Sequence, residues 1–458
     1  MVGAVRAFAV VALVVIGSAN AIAQTVVPEP SATPVPERWS IHVQATNTQQ
    51  YHGSFAAAYT GGNSLFPNGD TQKSFNTSFF FGGRLWKGAE FYVDQEFDQG
   101  FGLGNPGPLG FYNGLVGGAG YFSNEANKVG ATQVYGRTQR YFIRQTFNLG
   151  GERQQLDPDQ DQLRGSIDAD HLILQFGKFS VVDVFDQNAY AHDSKNDFLN
   201  WSVIEMGSFD YAADAWGFTR GLSAELTQGP STWRAGIFQL SLVPNGTQLE
   251  RSFLRQFSPI VEYERRTSFF GGHPGSLKGL FFGDYGYLGL YDEAVTSAAG
   301  TGQPPDLASV RGSKHWKVGG GVNVQQEIAP YVGFFGRVSA MNGIVEEVDW
   351  AVIDRSISLG FSFDGTRWKR PNDAIGIAAV SNSISAPARR YFTAGGLENT
   401  MGDGGLSFAG EQIIEGYYKL GFGKIFALTG DYQRIIHPAY NLVRGPVSIF
   451  SLRYHAQI

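Results

Sequence analysis

Between Trp39 and Ile458 the chain repeatedly alternates apolar with polar residues, and this period of two narrows its possible folds more than any other feature. The last segment shows it cleanly. Phe450, Leu452, Tyr454, Ala456 and Ile458 form one face, and Ser451, Arg453, His455 and Gln457 form the other. Near the start, Trp39, Ile41, Val43 and Ala45 alternate with Ser40, His42 and Gln44. The same pattern predicts strands at 39–49, 74–86, 89–99, 133–149, 169–179, 217–227, 232–242, 259–267, 277–289, 314–328, 331–340, 355–363, 373–382, 411–423, 426–436 and 447–458. Sixteen is an even number, as a closed antiparallel barrel requires if both chain ends lie on one side. Most segments have the roughly 9–11 residues that a strand tilted about 45° needs to cross a bilayer, or slightly more.

Connection lengths sort by parity. The odd connections span 24, 33, 37, 16, 24, 14, 28 and 10 residues, and the even ones 2, 19, 4, 9, 2, 9 and 2. Long outer loops and short periplasmic turns are the signature of outer-membrane barrels. The exception is 150–168, an acidic stretch on the short side. A soluble sandwich with one buried face would also alternate, but nothing in a sandwich sorts its loops this way.

Composition agrees. The chain has 60 Gly, 36 Phe, 20 Tyr and 8 Trp against 4 Met and no Cys, and aromatic side chains suit pleated surfaces while Gly weakens helices. The missing cysteine excludes disulfide scaffolds, thiolate metal sites and cysteine nucleophiles. A net charge of −6, with both signs mixed along the chain, excludes a nucleic-acid binder. Residues 7–16 are continuously apolar, follow Arg6 and precede Ala21-Ile22-Ala23, so 1–23 is predicted to be a signal peptide cleaved before Gln24. Residues 24–38, with Pro28, Pro30, Pro34 and Pro36, read as an extended periplasmic linker, and 39–458 as the barrel. No other apolar run reaches the length of a membrane helix.

If the apolar face meets lipid, the polar face lines the lumen. Phe75, Phe79, Phe81 and Leu85 then point outward while Asn76, Ser78 and Arg84 point inward. Glu90, Asp94 and Glu96 form an acidic row beside Arg140 and Arg144, and later strands add Arg234, Glu262, Glu264, Arg266, Lys317, Asn323 and Gln325. Such residues either neutralise one another and stiffen the wall or form a polar constriction. Neutral sugars need this mixture of hydrogen-bonding groups and aromatic faces, whereas a simple cation pore would show an acidic excess.

No catalytic constellation appears: there is no H-E-x-x-H and no G-x-S-x-G. Asp157, Asp159, Asp161 and Asp168 have the spacing of a calcium loop, but Gln162 stands where that loop needs Gly and Asp replaces the bidentate Glu, so a solvated turn is expected. No metal or other cofactor is expected.

Three stretches resemble the carbohydrate-selective outer-membrane porins of the OprB type. One runs from Gly177-Lys178-Phe179 through Asp183, Phe185-Asp186, Asn188, Tyr190-Ala191, Asp193 and Phe198-Leu199-Asn200-Trp201 to Asp210-Tyr211, Ala213-Asp214 and Gly217. A second holds Asp354-Arg355-Ser356, Leu359-Gly360, Arg367-Trp368, Arg370-Pro371 and Asp373. The third holds Glu411-Gln412-Ile413, Glu415, Tyr417-Tyr418, Asp431-Tyr432-Gln433, Pro438-Ala439-Tyr440-Asn441 and Arg444-Gly445-Pro446-Val447. The resemblance implies a 16-stranded transmembrane β-barrel in a Gram-negative outer membrane, carbohydrate solutes and lipid as its partners, and passive transport without catalysis; it also admits a homo-oligomer. It further implies that connection 180–216 folds into the channel, making Asp183, Asp186, Asn188, Asp193, Asn200 and Trp201 constriction candidates. Phe209 stands where the family pattern suggests Trp, and Ile458 where many barrels end on Phe. The alternatives are a general or ion-preferring porin and a soluble exported glycan-binding β-protein.

Overall fold

The computed structural model describes residues 35–104, 118–126, 130–349 and 352–458. The predicted signal peptide and most of the linker lie outside them. Sixteen strands form among the described residues: β1 (Trp39–His52), β2 (Asp70–Trp86), β3 (Ala89–Gly100), β4 (Ala131–Leu156), β5 (Gly165–Phe179), β6 (Thr219–Gln228), β7 (Ser231–Gln239), β8 (Phe257–Thr267), β9 (Gly275–Tyr287), β10 (Lys314–Ala329), β11 (Val332–Met341), β12 (Arg355–Asp364), β13 (Ala374–Ser383), β14 (Glu411–Phe422), β15 (Phe426–Ile436) and β16 (Val447–Gln457). Each pairs antiparallel with its sequence neighbours, and β1 closes on β16 with Gln44 opposite Gln457 and His52 opposite Ile449. Closure removes every sheet edge, so each strand's backbone groups pair with a neighbour, the condition for crossing hydrocarbon without helices.

The period of two places the side chains as expected. Phe79, Phe81, Val93, Ile143, Phe176, Val261, Phe281, Ile357, Ile377 and Phe450 lie exposed on the outer wall. Aromatic pairs bridge neighbouring strands there, among them Phe81 with Phe91 at 5.6 Å and Trp233 with Tyr263 at 4.4 Å. Each such cross-strand pair contributes roughly 0.2–1 kcal/mol. Inward positions of the same strands are buried and mostly polar, with Asn76, Ser78, Asp94, Glu96, Glu262, Lys317 and Arg337 all under one-tenth exposed.

Three periplasmic turns, 87–88, 229–230 and 330–331, are tight. Lys87-Gly88 joins β2 to β3 with Gly88 at φ 77°, and a Cβ there would stand 2.3 Å from the Thr146 carbonyl oxygen, so the turn needs both glycine's left-handed backbone and its missing side chain. Pro330-Tyr331 joins β10 to β11, one residue later than the alternation suggested.

The expected 150–168 loop is a correction. β4 and β5 continue past the wall as a hairpin whose turn is 157–164, with bulges at Gly150 and Gly151, both at positive φ. The turn is not simply solvated. Gln160 Nε2 donates to Gln44 Oε1 at 2.9 Å, the Leu163 amide donates to the Tyr92 hydroxyl at 3.3 Å, Arg144 donates to the Asp161 carbonyl at 2.7 Å, and Leu163 is buried. Glu37, the last part of the linker, pairs backbone to backbone with Arg164.

Candidate functional site: the lumen and its inward-folded loop

The connection between β5 and β6, residues 180–218, packs inside the barrel as a folded unit. Its apolar residues Phe185, Phe198, Leu199, Trp201, Val203, Ile204 and Phe209 are fully buried. Phe198 meets Phe335 of β11 and Tyr417 of β14 at 5.5 and 4.9 Å, and Trp201 meets Tyr121 at 5.7 Å.

Asp186 is the hub of its attachment. The side chain, held by a left-handed backbone at φ 53°, accepts from Arg337 Nε at 3.0 Å, from Asn323 Nδ2 at 2.6 Å and from the Met206 amide at 2.6 Å. Its own amide donates to Glu262 Oε2 at 2.9 Å. Arg337 also donates to the carbonyls of Val203 and Ala191, both at 2.9 Å. Further anchors follow around the wall. Asn188 donates to Asn323 at 2.8 Å, Lys278 donates to the Gln187 carbonyl, Lys317 pairs with Asp210 at 2.8 Å, and Glu415 accepts the Leu199 amide at 2.5 Å. Asn200 caps a short helix, α1 (Trp201–Ile204), by accepting from the Ser202 amide, and donates to Gln433 at 3.1 Å. Inward polar residues of β8 to β16 are thus largely occupied in holding the loop.

The wall from β1 to β7 faces a cavity of about 860 Å³, within the range of small-molecule sites. It is lined by wall residues including Phe80, Glu90, Glu96, Arg140, Phe142, Arg144, His171, Gln175, Glu225 and Arg234. The loop side contributes Asp183, Gln187, His192, Asp193, Lys195, Glu205, Tyr211, Trp216 and Phe218, and the periplasmic turn contributes 159–162.

Three structural elements meet at Arg140. It forms a two-point pair with Asp183 of the loop, at 2.6 and 2.7 Å, and reaches Asp94 of β3 at 3.3 Å and Asp161 of the turn at 3.9 Å. Arg140 therefore ties wall, inward loop and periplasmic turn into one narrow point. Burial, foremost, raises the Asp161 carboxyl above its ordinary range, and Arg140 opposes that rise. Arg234 is likewise shared by Glu225, Glu262 and Glu264 at 2.5, 2.7 and 2.8 Å. Arg144 lies over the rings of Tyr92 and Phe142 at 5.0 and 5.3 Å, and Arg137 over Trp216 at 3.4 Å, so the cavity alternates guanidinium groups with aromatic faces.

Of the residues proposed from sequence, Glu90, Glu96, Arg140, Arg144, Arg234, Asp183 and Asp193 line this cavity. Asp94 and Glu262 stand directly behind Arg140 and Arg234. Arg84 sits near the periplasmic end of β2, pairing with Glu90 at 3.0 Å and donating to the Glu37 carbonyl. Asp186, Asn188, Asn200 and Trp201 do not line the cavity but are buried in the attachment of the loop: the first three have partners on β8 to β16, and Trp201 packs on Tyr121. Sequence reasoning missed Phe80 and Phe142, which share inward parity with the charged rows and could have been found. It also missed Glu205, Glu225, Trp216 and Phe218. Among the described residues no group of side chains could hold a metal ion, the Asp157–Asp168 stretch included.

A closed sixteen-stranded barrel with an apolar belt, a polar lumen and a loop folded into it is an outer-membrane porin. The chain belongs to the carbohydrate-selective porin, OprB family, whose model matches residues 68–458. It is similar to the porin AaxA of Chlamydia pneumoniae, 23% identical over 300 residues that make up 62% of this chain and 55% of that protein. A second porin AaxA, from Chlamydia trachomatis serovar D, is 25% identical over 183 residues, 38% of this chain and 34% of that one. The chain thus spans about half the length, or less, of the curated relatives it matches. Among solved structures it resembles the high-pH structure of Pseudomonas putida OprB, with a TM-score of 0.65 and 15% identity over 92% of this chain and 94% of that one. That likeness is one of fold.

Proposed function

We propose that the chain is a passive diffusion channel for mono- or oligosaccharides across the outer membrane. The observation that carries this is the cavity between β1–β7 and the inward loop, where carboxylates, amides and guanidinium groups alternate with Phe80, Phe142, Trp216 and Phe218. A sugar presents hydroxyls around its rim and C–H surfaces on its faces, and this lining offers partners for both. Transport needs no chemical step, so no residue is assigned a catalytic role. Glu90, Glu96, Arg140, Arg144, Arg234 and Asp183 are the residues we assign to solute contact. Asp94 and Glu262 hold the two arginines in place, and Asp186, Asn188, Asn200 and Trp201 fix the loop that bounds the cavity.

Liposomes containing the purified protein test this by swelling. Isosmotic glucose and maltose are expected to enter far faster than into protein-free vesicles, and faster than a non-sugar solute of similar size. Entry governed by size alone would reduce the channel to a general porin.

A further inference from the structure

The cavity is not electrically balanced. Nine carboxylates line it, Glu90, Glu96, Glu125, Asp159, Asp161, Asp183, Asp193, Glu205 and Glu225, against four basic groups, Arg140, Arg144, Lys195 and Arg234. The internal segments outside the described residues, 105–117, 127–129 and 350–351, carry a single charged side chain, Lys128. Arg84, behind the lining, pairs with Glu90 at 3.0 Å, but the two guanidinium clusters do not restore the balance, since Arg140 and Arg234 are each shared by three carboxylates. Lys195 is already taken by Glu125 at 2.7 Å.

Glu205, on the inward loop, is 2% exposed yet lines the cavity, and its Oε2 has no hydrogen-bond partner. A buried acceptor left open toward a solute space is completed by a donor arriving with the solute. Burial raises this carboxyl to about 8, with Asp186 adding to the rise and the Trp201 and Tyr211 side chains opposing it, so it is largely protonated at pH 7 and loses its proton when a cation sits beside it.

We infer that the cavity selects protonated amino sugars over neutral hexoses of the same size, and that small cations carry most of its ionic current. This rests on the sugar-channel reading and narrows its solute class. The mixed charges of the inward faces pointed toward neutral sugars; the acidic excess arises because Asp161, Asp193, Glu205 and Glu225, from the turn, the loop and β6, join the lining. Low-dielectric walls focus such a field and raise the local concentration of the opposite charge.

The test has two arms at about pH 7, where an amine is largely protonated. In a planar bilayer under a KCl gradient, the reversal potential is expected to have the sign of K⁺ preference; a Cl⁻ preference overturns the inference. In liposome swelling, glucosamine is expected to enter roughly tenfold faster than glucose at low salt, and glucuronate more slowly than either. That ratio should fall toward one as salt rises from roughly 0.1 to 1 M and the screening length shrinks from about 10 to about 3 Å. Glu205→Gln, which keeps the shape, should reduce the glucosamine-to-glucose ratio by about threefold. Equal entry of glucosamine and glucose at low salt, or an unchanged ratio in Glu205→Gln, overturns the inference and leaves the sugar channel standing. Ionic current with no entry of any hexose overturns the sugar channel itself.

Discussion

Replacing Arg337 by Met is expected to release the inward loop and give a wider, noisier channel. In the native protein Arg337 is nearly fully buried and joins the Asp186 carboxylate to the Val203 and Ala191 carbonyls. Methionine fills similar volume but donates nothing, which leaves Asp186 with a buried charge and the loop with unpaired carbonyls. Breaking a buried pair by removing one partner costs about 3–5 kcal/mol. The barrel wall does not depend on this pair, since its ladder of strand pairings is intact without it. The loss should therefore appear as loop mobility rather than unfolding. Single-channel recording is expected to show conductance raised by on the order of twofold, with flicker, because conductance and selectivity follow the constriction. The folded barrel should still migrate differently on gels before and after boiling. Native conductance in Arg337→Met would contradict the assignment of Asp186 and Arg337 as the loop's anchor.

The second large effect is expected at Arg140. In Arg140→Ala, Asp94, Asp161 and Asp183 lose the cation they share, and three carboxylates converging on one point repel. The turn 157–164 and the inward loop should then separate, raising conductance and weakening any sugar block. Ile143→Ala, on the lipid side of the same strand, should leave both within error, as exposed substitutions typically change stability by no more than about 0.5 kcal/mol. The absence of cysteine allows a direct check of the turn's seat. In Gln44→Cys/Gln160→Cys, a short thiol crosslinker should join the two positions in the native background, and its yield should drop when Arg140→Ala is added. Equal effects of Arg140→Ala and Ile143→Ala would contradict the division into lumen and lipid faces.

Wall and loops differ in how legible they were. All sixteen strands could be read because a strand between lipid and lumen has two different solvents on its faces, and the sequence must alternate to satisfy both. The hairpin beyond the wall was unreadable for the same reason. Between Gly151 and Gln155 both faces of β4 are exposed, so alternation disappears and the segment looks like a loop. Inwardness of Glu262, Lys317 and Asn323 followed from parity, but the use of that inward face did not. Asp186 and Arg337 stand 151 positions apart, and no local pattern says which half of the wall a folded loop will cover. Glu205 was hidden differently, within the run Val203-Ile204-Glu205-Met206, where no strand period applies and the apolar neighbours suggest core.

The loop is fastened to β8–β16 and leaves along β1–β7 a cavity in which we propose that sugars bind in passage. Titrating glucose, maltose and a non-sugar control against single-channel current in a planar bilayer tests it most directly. Saturable block by the sugars alone is expected, weakened in Arg140→Ala. Current that the sugars reduce no more than the control does would contradict it.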